Sequence, residues 1–410
     1  MRRIVVVGAS LAGLRAAQAA RAAGFDGEIV LVGDEHHRPY TRPPLSKELL
    51  AGQQTPEGCG FPCEDLDVAW RLGVPASALD RERRTVVLAD GDEVPYDRAI
   101  VATGCRARPW PGEGGDLPGV FTLRGIDDAI ALRAAFEARP KVAIVGAGFV
   151  GCEVAATARK HDLDVTVIDI APQPMLPLGP ELGARCADLH RAHGVDLRLG
   201  AGVAGLRGGE RVEAIELADG TTVDADVVVV ALGALPNTEW LASSGLELDP
   251  GVACDPTLTS TTDPDVLAAG DAASWPHPLA GGERVRVEHW TVAAEHGQLA
   301  GRNAVAPAAE RVAHTTPPYF WSDQYDVKIQ AVGFPTRADA LEILESTPDG
   351  GRFVAAGGRD GRLVGVVAFN AAKRLAWYRR QLAAGAAFDD VRQAVAADEG
   401  ALGAPVGAAR

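Results

Sequence analysis

The chain has 410 residues, with 40 Lys+Arg against 55 Asp+Glu (40 − 55 = −15) and 47% hydrophobic content. That composition is globular, the length suits two or three domains, and no aliphatic run approaches the ~18 residues of a membrane span. The acidic balance argues against a general binder of nucleic acid or anionic membrane, and six scattered cysteines give neither a disulfide scaffold nor a zinc or iron–sulfur ligand spacing.

Arg2-Arg3 before the apolar Ile4 to Val7 imitates the start of a signal peptide, but Gly8, Ser10, Gly13 and Arg15 interrupt the run. A cytoplasmic protein is expected. The same opening reads better as a strand, a glycine-rich turn (Gly8-Ala-Ser10-Leu-Ala12-Gly13), an alanine-rich helix to Gly24, and a second strand ending in Asp34. Lys141 to Asp169 repeats the layout: strand, Gly146-Ala-Gly148-Phe-Val-Gly151, helix to Lys160, strand, Asp169. The first glycine precedes its acid by 34 − 8 = 26 residues in one copy and 169 − 146 = 23 in the other, near the ~20-residue offset of dinucleotide folds. Each copy continues with an Asp-Gly hairpin (Asp90-Gly91, Asp219-Gly220) and a strand ending in glycine. The two gaps are equal, 104 − 91 = 13 and 233 − 220 = 13.

Two matched copies predict two nucleotide-binding domains, one inserted in the other. Leu267-Ala-Ala-Gly270-Asp271 adds a strand ending in Gly-Asp. After Pro317-Pro318, strands are predicted at Val327 to Val332, Leu341 to Leu344, Phe353 to Ala356 and Leu363 to Phe369, then a helix from Ala371 to Ala384. The resulting boundaries are 1–110 and 245–314, 111–244, and 315–410, the last an α+β domain.

A glycine turn at a helix start lets backbone N–H groups and the helix dipole face a pyrophosphate. The second copy carries all three glycines; the first has Ser10 at the middle position. Asp34 and Asp169 stand where ribose hydroxyls are bound. Residues 170–174 after Asp169 bring no Lys or Arg to receive a 2′-phosphate, which favours NADH over NADPH.

On the segments Val7 to Gly13, Pro39 to Lys47 (with Arg42-Pro-Pro-Leu-Ser-Lys47), Gly146 to Glu153, Ala269-Gly-Asp271 and Tyr319 to Tyr325 (with Phe320-Trp-Ser-Asp-Gln), the chain resembles the FAD-dependent NADH:ferredoxin reductases of oxygenase systems. The resemblance implies a glutathione-reductase-like α/β fold of two Rossmann-like domains plus a C-terminal α+β domain. It implies FAD contacts by Gly8, Ser10, Ala12, Gly13, Asp34, Lys47, Ala76, Arg124, Asp271 and Trp290, with Arg42 beside them. NADH contacts fall on Gly146, Gly148, Gly151, Glu153 and Asp169. Lys47 and Glu153 are implied as an ion pair near the flavin N5 edge, and Trp321 as the aromatic residue at the nicotinamide. The implied acceptor is an iron–sulfur ferredoxin serving a cytochrome P450 or a ring-hydroxylating dioxygenase. Gln173 departs from the arginine common in the family. The flavin-adjacent stretch Arg42 to Lys47 lacks cysteine, so electrons are expected to leave the flavin directly. Lys373, Arg374, Arg379 and Arg380 are the expected ferredoxin patch. Two other readings compete: a disulfide or small-molecule reductase using Cys59 and Cys63, and an NADH-responsive interaction flavoprotein similar to apoptosis-inducing factor.

Overall fold

Runs of Val and Ile that are apolar at every position belong to strands covered on both faces, the habit of parallel sheets. Arg3–Val7 is such a strand. It pairs in parallel with Glu28–Val32 on one side and Arg98–Val101 on the other. Val266–Ala268 and Ala69–Arg71 complete a five-stranded parallel sheet at its two edges. Val142–Val145 plays the same part in a second sheet, between Val165–Asp169 and Val227–Val230, with Asp196–Leu199 and Val120–Phe121 at the edges. Both Asp-Gly signals are hairpins: Thr85–Leu88 pairs with Glu93–Pro95, and Val212–Leu217 with Thr222–Asp224. In each sheet the chain leaves the central strand to opposite sides, which makes a topological switch point at the carboxyl end of that strand.

This computed structural model describes residues 1–398 and 402. They form two compact units, residues 1–41, 60–106 and 235–320, and residues 42–59 and 107–234 with the described residues from 321 onward. In the first unit the helix Leu11–Ala22 packs on the helix Trp290–Val305 through small residues. A Cβ added at Gly297 or Gly301 would lie 2.3 or 2.1 Å from the carbonyl oxygens of Ala12 or Ala16, so the two backbones approach as closely as glycine permits. In the second unit, Leu206, Val212, Ile215 and Leu217 from the hairpin strands bury against Ala143, Val145, Ile168 and Val228 of the parallel sheet.

A five-stranded antiparallel sheet follows, in the order Tyr319–Gln324, Val327–Gly333, Arg362–Phe369, Phe353–Arg359, Glu342–Ser346. Helices Ala372–Ala383 and Phe388–Ala396 follow. The strand Tyr319–Gln324 and the last helix are additions to the sequence reading. The strand is hidden because its buried positions Ser322 and Gln324 are polar.

One expectation needs correction. Lys373, Arg379 and Arg380 are exposed on the helix Ala372–Ala383, but Arg374 is not part of their patch. Its guanidinium binds Glu345 at 3.0 Å and Asp398 at 2.8 Å, and Glu345 has no exposed surface. Tyr378 donates to the same Glu345 at 2.9 Å. Positions 374 and 378 do share a helix face, but it is the inner one, where a buried carboxylate needs every donor it can gain.

Candidate dinucleotide sites and the Lys47–Glu153 pair

In the first unit the turn after Arg3–Val7 is shaped by steric demand. Gly8 has φ 122°, and a Cβ there would sit 2.0 Å from the Ala102 carbonyl oxygen; one at Gly13 would sit 1.9 Å from the Gly8 oxygen. Ser10 is the extended N-cap of the helix Leu11–Ala22, and its side chain makes no capping bond, so the first-turn amides stay open to an anion. Ala12, on the first turn, is buried, and Asp34 is exposed at the end of the second strand, its Oδ1 accepting the Glu35 N–H at 3.0 Å. Asp271 is buried beside this cradle. Gly270 at φ 67° packs against Ala12, a Cβ there lying 3.2 Å from the Ala12 methyl. The Cys105 thiol donates to Asp271 Oδ2 at 3.0 Å. Trp290 opens the helix Trp290–Val305, and Ala76 opens the strand Ala76–Asp80. These residues share the first unit; Arg42, Lys47 and Arg124 belong to the second.

The second unit repeats the cradle. Gly146 has φ 110° and a Cβ there would meet the Ala231 oxygen at 2.3 Å; one at Gly151 would meet the Gly146 oxygen at 2.0 Å. Gly148 caps the helix Phe149–Lys160 with an extended backbone, and a Cβ there would meet nothing within 4 Å. Asp169 Oδ2 accepts the Ala147 N–H of the turn at 2.6 Å while Oδ1 accepts Ala171 N–H at 2.7 Å, so the acid braces the turn as well as standing at the strand end. Its neighbour Ile170 is 80% exposed, which gives a 2′-phosphate no cation there.

Glu153 lies on the same helix and is buried. Lys47, at the end of the short helical turn Pro43–Ser46, places Nζ 2.6 Å from Glu153 Oε2 and also donates to the Pro43 carbonyl at 3.2 Å. Their side chains are 12% and 7% exposed, which sets this pair apart from the surface pairs elsewhere in the chain. Taking away one partner would strand the other charge, at a cost of about 3–5 kcal/mol. Thr157 Oγ1 donates to the Ser46 carbonyl at 2.8 Å and ties the turn to the helix. Arg42, at the start of that turn, donates to the Arg124 carbonyl at 2.8 Å. The Arg124 and Gly125 amides are in turn held by Asp128, each at 2.8 Å.

The sequence reading missed how Glu153 is surrounded. Ser46 Oγ donates to Oε2 at 2.5 Å and Ser322 Oγ to Oε1 at 2.7 Å. Ser322 sits next to Trp321 on the strand Tyr319–Gln324, so alternation along the strand separates the two. Trp321 is half-buried and Ser322 fully buried. The motif containing Ser322 was legible; its reach to Glu153 was not.

All six cysteines are free and buried. Burial, with Glu48 adding to it, pushes the Cys59 thiol up; burial also pushes up Cys63 against the opposing pull of Arg38. Both are thereby poorer nucleophiles than an ordinary thiol.

Two parallel sheets, each with a glycine turn at a helix start and an acid on the neighbouring strand, define a dinucleotide-binding oxidoreductase. The description of the pyridine nucleotide-disulphide oxidoreductases matches residues 2–297, and that of the reductase C-terminal domain matches residues 319–401. The chain is 35% identical to rhodocoxin reductase of Rhodococcus erythropolis, over 90% of this chain and 86% of that one. It is 37% identical to the biphenyl dioxygenase system ferredoxin–NAD(+) reductase component of Paraburkholderia xenovorans strain LB400, over 90% of each. The reductase in the crystal structure of a covalent putidaredoxin reductase–putidaredoxin complex superposes with a TM-score of 0.89 at 31% identity, covering 94% of this chain and 93% of that one. The chain belongs to the pyridine nucleotide-disulphide oxidoreductase family, in the branch of these ferredoxin reductases.

Proposed function

We propose that the protein is an FAD-containing reductase that takes a hydride from NADH and passes single electrons to an iron–sulfur ferredoxin serving a cytochrome P450 or a ring-hydroxylating dioxygenase. The observation that carries this reading is the buried Lys47–Glu153 pair, 2.6 Å apart, on a turn without cysteine in a chain with two dinucleotide cradles. FAD, when bound, accepts two electrons with the hydride of NADH and gives them up one at a time, releasing the proton.

The residues fit the two cofactors. The uncapped helix start at Ser10 and the steric opening above Gly148 leave room and open amides for a pyrophosphate in each unit. Gly8, Ser10, Ala12, Gly13, Asp34, Ala76, Asp271 and Trp290 would hold FAD, and the resemblance adds Lys47 and Arg124, with Arg42 beside them. Gly146, Gly148, Gly151, Glu153 and Asp169 hold NADH. With FAD bound, Lys47 would supply a cation at the flavin N5 edge, and Glu153, 2.6 Å from its Nζ, would fix that cation in place. Trp321 would be the aromatic residue near the nicotinamide. Residues 1–110 and 245–314 make the FAD domain, 111–244 the NADH domain and 315–410 the C-terminal domain; residues 399–401 and 403–410 lie outside the described residues. No helix among the described residues is long and apolar enough to cross a membrane. Six cysteines outside any disulfide suit the reducing cytoplasm, where we place the protein.

NADH-dependent reduction of cytochrome c tests the assignment. It should depend on added ferredoxin and prefer NADH to NADPH. Turnover that is independent of ferredoxin but needs a disulfide substrate would replace this reading with the disulfide-reductase alternative.

A further inference from the structure

Glu153 is the end point of a hydrogen-bonded chain that runs to a tyrosine at the tip of a hairpin. Ser322 Oγ donates to Glu153 Oε1 at 2.7 Å, and Gln324 Nε2 donates to Ser322 Oγ at 3.1 Å. Gln324 Oε1 lies 3.0 Å from His190 Nε2, and His190 Nδ1 lies 3.0 Å from the Tyr325 hydroxyl. Ser322, Gln324 and His190 have no exposed surface.

The polarity of the chain is fixed. A carboxylate only accepts, so Ser322 spends its one proton on Glu153 and its oxygen must accept from the Gln324 amide nitrogen. That orients the amide, leaving Gln324 Oε1 to accept from His190. His190 therefore carries its proton on Nε2, and its bare Nδ1 accepts from Tyr325. Every donor points toward Glu153. Burial pushes the His190 pKa down to about 4, partly opposed by the Gln324 bond, so the ring is neutral at pH 7.

Two features describe Tyr325, the first residue of the two-residue turn between Tyr319–Gln324 and Val327–Gly333. It adopts φ 56°, a left-handed conformation that bulky residues rarely take outside tight turns. His193 stacks on its ring with centroids 3.6 Å apart and planes 11° from parallel, holding the phenol against His190.

We infer that Ser322, Gln324 and His190 are positioning residues for hydride transfer, acting through Glu153 to hold Lys47 in one place. The inference rests on the reading of Lys47 and Glu153 given above. Ser322 fixes the Oε1 edge of the carboxylate, so that Oε2 stays directed at Lys47. Gln324 locks the Ser322 hydroxyl rotor, and His190 locks the amide of Gln324. Without the chain, Oε2 keeps Ser46 and Lys47 but Oε1 loses its donor, so the carboxylate can rock about its Oε2 contacts and Lys47 moves with it.

Rapid-mixing measurements of flavin reduction by NADH on the holoenzyme, with Ser322→Ala, Gln324→Leu, Ser322→Thr and Glu153→Gln, supply the test. Ser322→Ala and Gln324→Leu should lower the limiting rate by about tenfold while the NADH dissociation constant stays within about twofold, and Ser322→Thr should restore most of the rate. Ring-nitrogen chemical shifts of His190, identified by their loss in His190→Gln, give a readout independent of turnover. They should report a neutral Nε2–H tautomer in the wild type and a mixture in Gln324→Leu. Normal reduction in Ser322→Ala and Gln324→Leu alongside slow reduction in Glu153→Gln would overturn the positioning chain but leave the ion-pair reading. Normal reduction in Glu153→Gln as well would overturn both. A wild-type Nδ1–H tautomer would overturn the chain even if Ser322→Ala, Gln324→Leu and Glu153→Gln all failed to fold.

Discussion

The turns Gly8–Gly13 and Gly146–Gly151 use glycine at their first and last positions for one reason, and the second turn uses it at the middle position for another. A Cβ at Gly13 or Gly151 would collide with a carbonyl oxygen of its own turn, at 1.9 and 2.0 Å. A Cβ at Gly148 would meet no protein atom within 4 Å, and the first copy places Ser10 at the equivalent position without a capping bond. The outer glycines are demanded by the fold. The middle one answers to whatever lies outside it, and the two copies differ where the protein itself makes no demand.

The largest effect follows from the outer glycines. Gly13→Ala and Gly151→Ala should each destabilise by about 3 kcal/mol or more, because a methyl inside van der Waals range of a carbonyl must push helix and strand apart. Denaturant unfolding of each variant measures the loss. If either stays within about 0.5 kcal/mol of the wild type, the shared steric rule is wrong for that copy.

A second contrast lies in the buried histidines of the two units. His190 of the second unit has a partner on each ring nitrogen, whereas His296 of the first has none in the described residues on either. Burial lowers the pKa of both, His190 to about 4 from 6.5. The folded state therefore binds fewer protons than the unfolded chain. The associated stability is present above pH 6.5 and is lost as pH falls toward 4, with about 2 kcal/mol gone by pH 5 for His190 alone. Unfolding at pH 7 and pH 5 should show that loss, and His190→Gln should shrink it. An equal loss in that variant would place the acid sensitivity elsewhere, with His296 the next residue to replace.

The middle position should separate fold from ligand. Gly148→Ser should fold like the wild type yet bind NADH about tenfold more weakly, near 1.4 kcal/mol, as the added side chain occupies the cofactor's approach. Ser10→Gly should leave FAD retention nearly unchanged. NADH titration and flavin release read the two outcomes. A Gly148→Ser protein with wild-type NADH affinity would mean that the pyrophosphate does not pass over this turn.

How much of this could be read from the chain depended on whether a feature is local. Both glycine turns, the acids Asp34 and Asp169, and the hairpins at Gly91 and Gly220 are set by spacing within about 30 residues of a repeating unit, the range in which turn chemistry and strand patterning act. Lys47 and Glu153 came from motifs that a resemblance supplied, while their 2.6 Å contact joins segments 153 − 47 = 106 residues apart. His190 gave no signal at all. It sits on an ordinary amphipathic helix, Gly179–Ala192, and gains its role only because a strand at 322–324 reaches it. Arg374 erred in the opposite direction: a basic residue on a basic helix reads as surface, and the buried Glu345 that claims it lies 374 − 345 = 29 residues away.

The smallest expected effect concerns the thiols, for which the two cradles leave no part. Cys59 belongs to the second unit and Cys63 to the first, and both are free and buried. A redox disulfide needs an attacking thiolate, and burial raises both thiols above their ordinary range, which lowers the thiolate fraction at neutral pH. The turn that carries Lys47, Pro43–Ser46, contains no cysteine, and the thiol next to Glu153 in sequence, Cys152, is buried and donates to the Ala147 carbonyl at 3.5 Å. Replacing both with serine should leave NADH–ferricyanide turnover within about twofold, a change below roughly 0.5 kcal/mol. Titrating accessible thiols before and after NADH addition should give the same count. A tenfold loss of turnover together with new thiols on reduction would put a disulfide between the cofactors and the acceptor, and direct exit of electrons from the flavin would have to be abandoned.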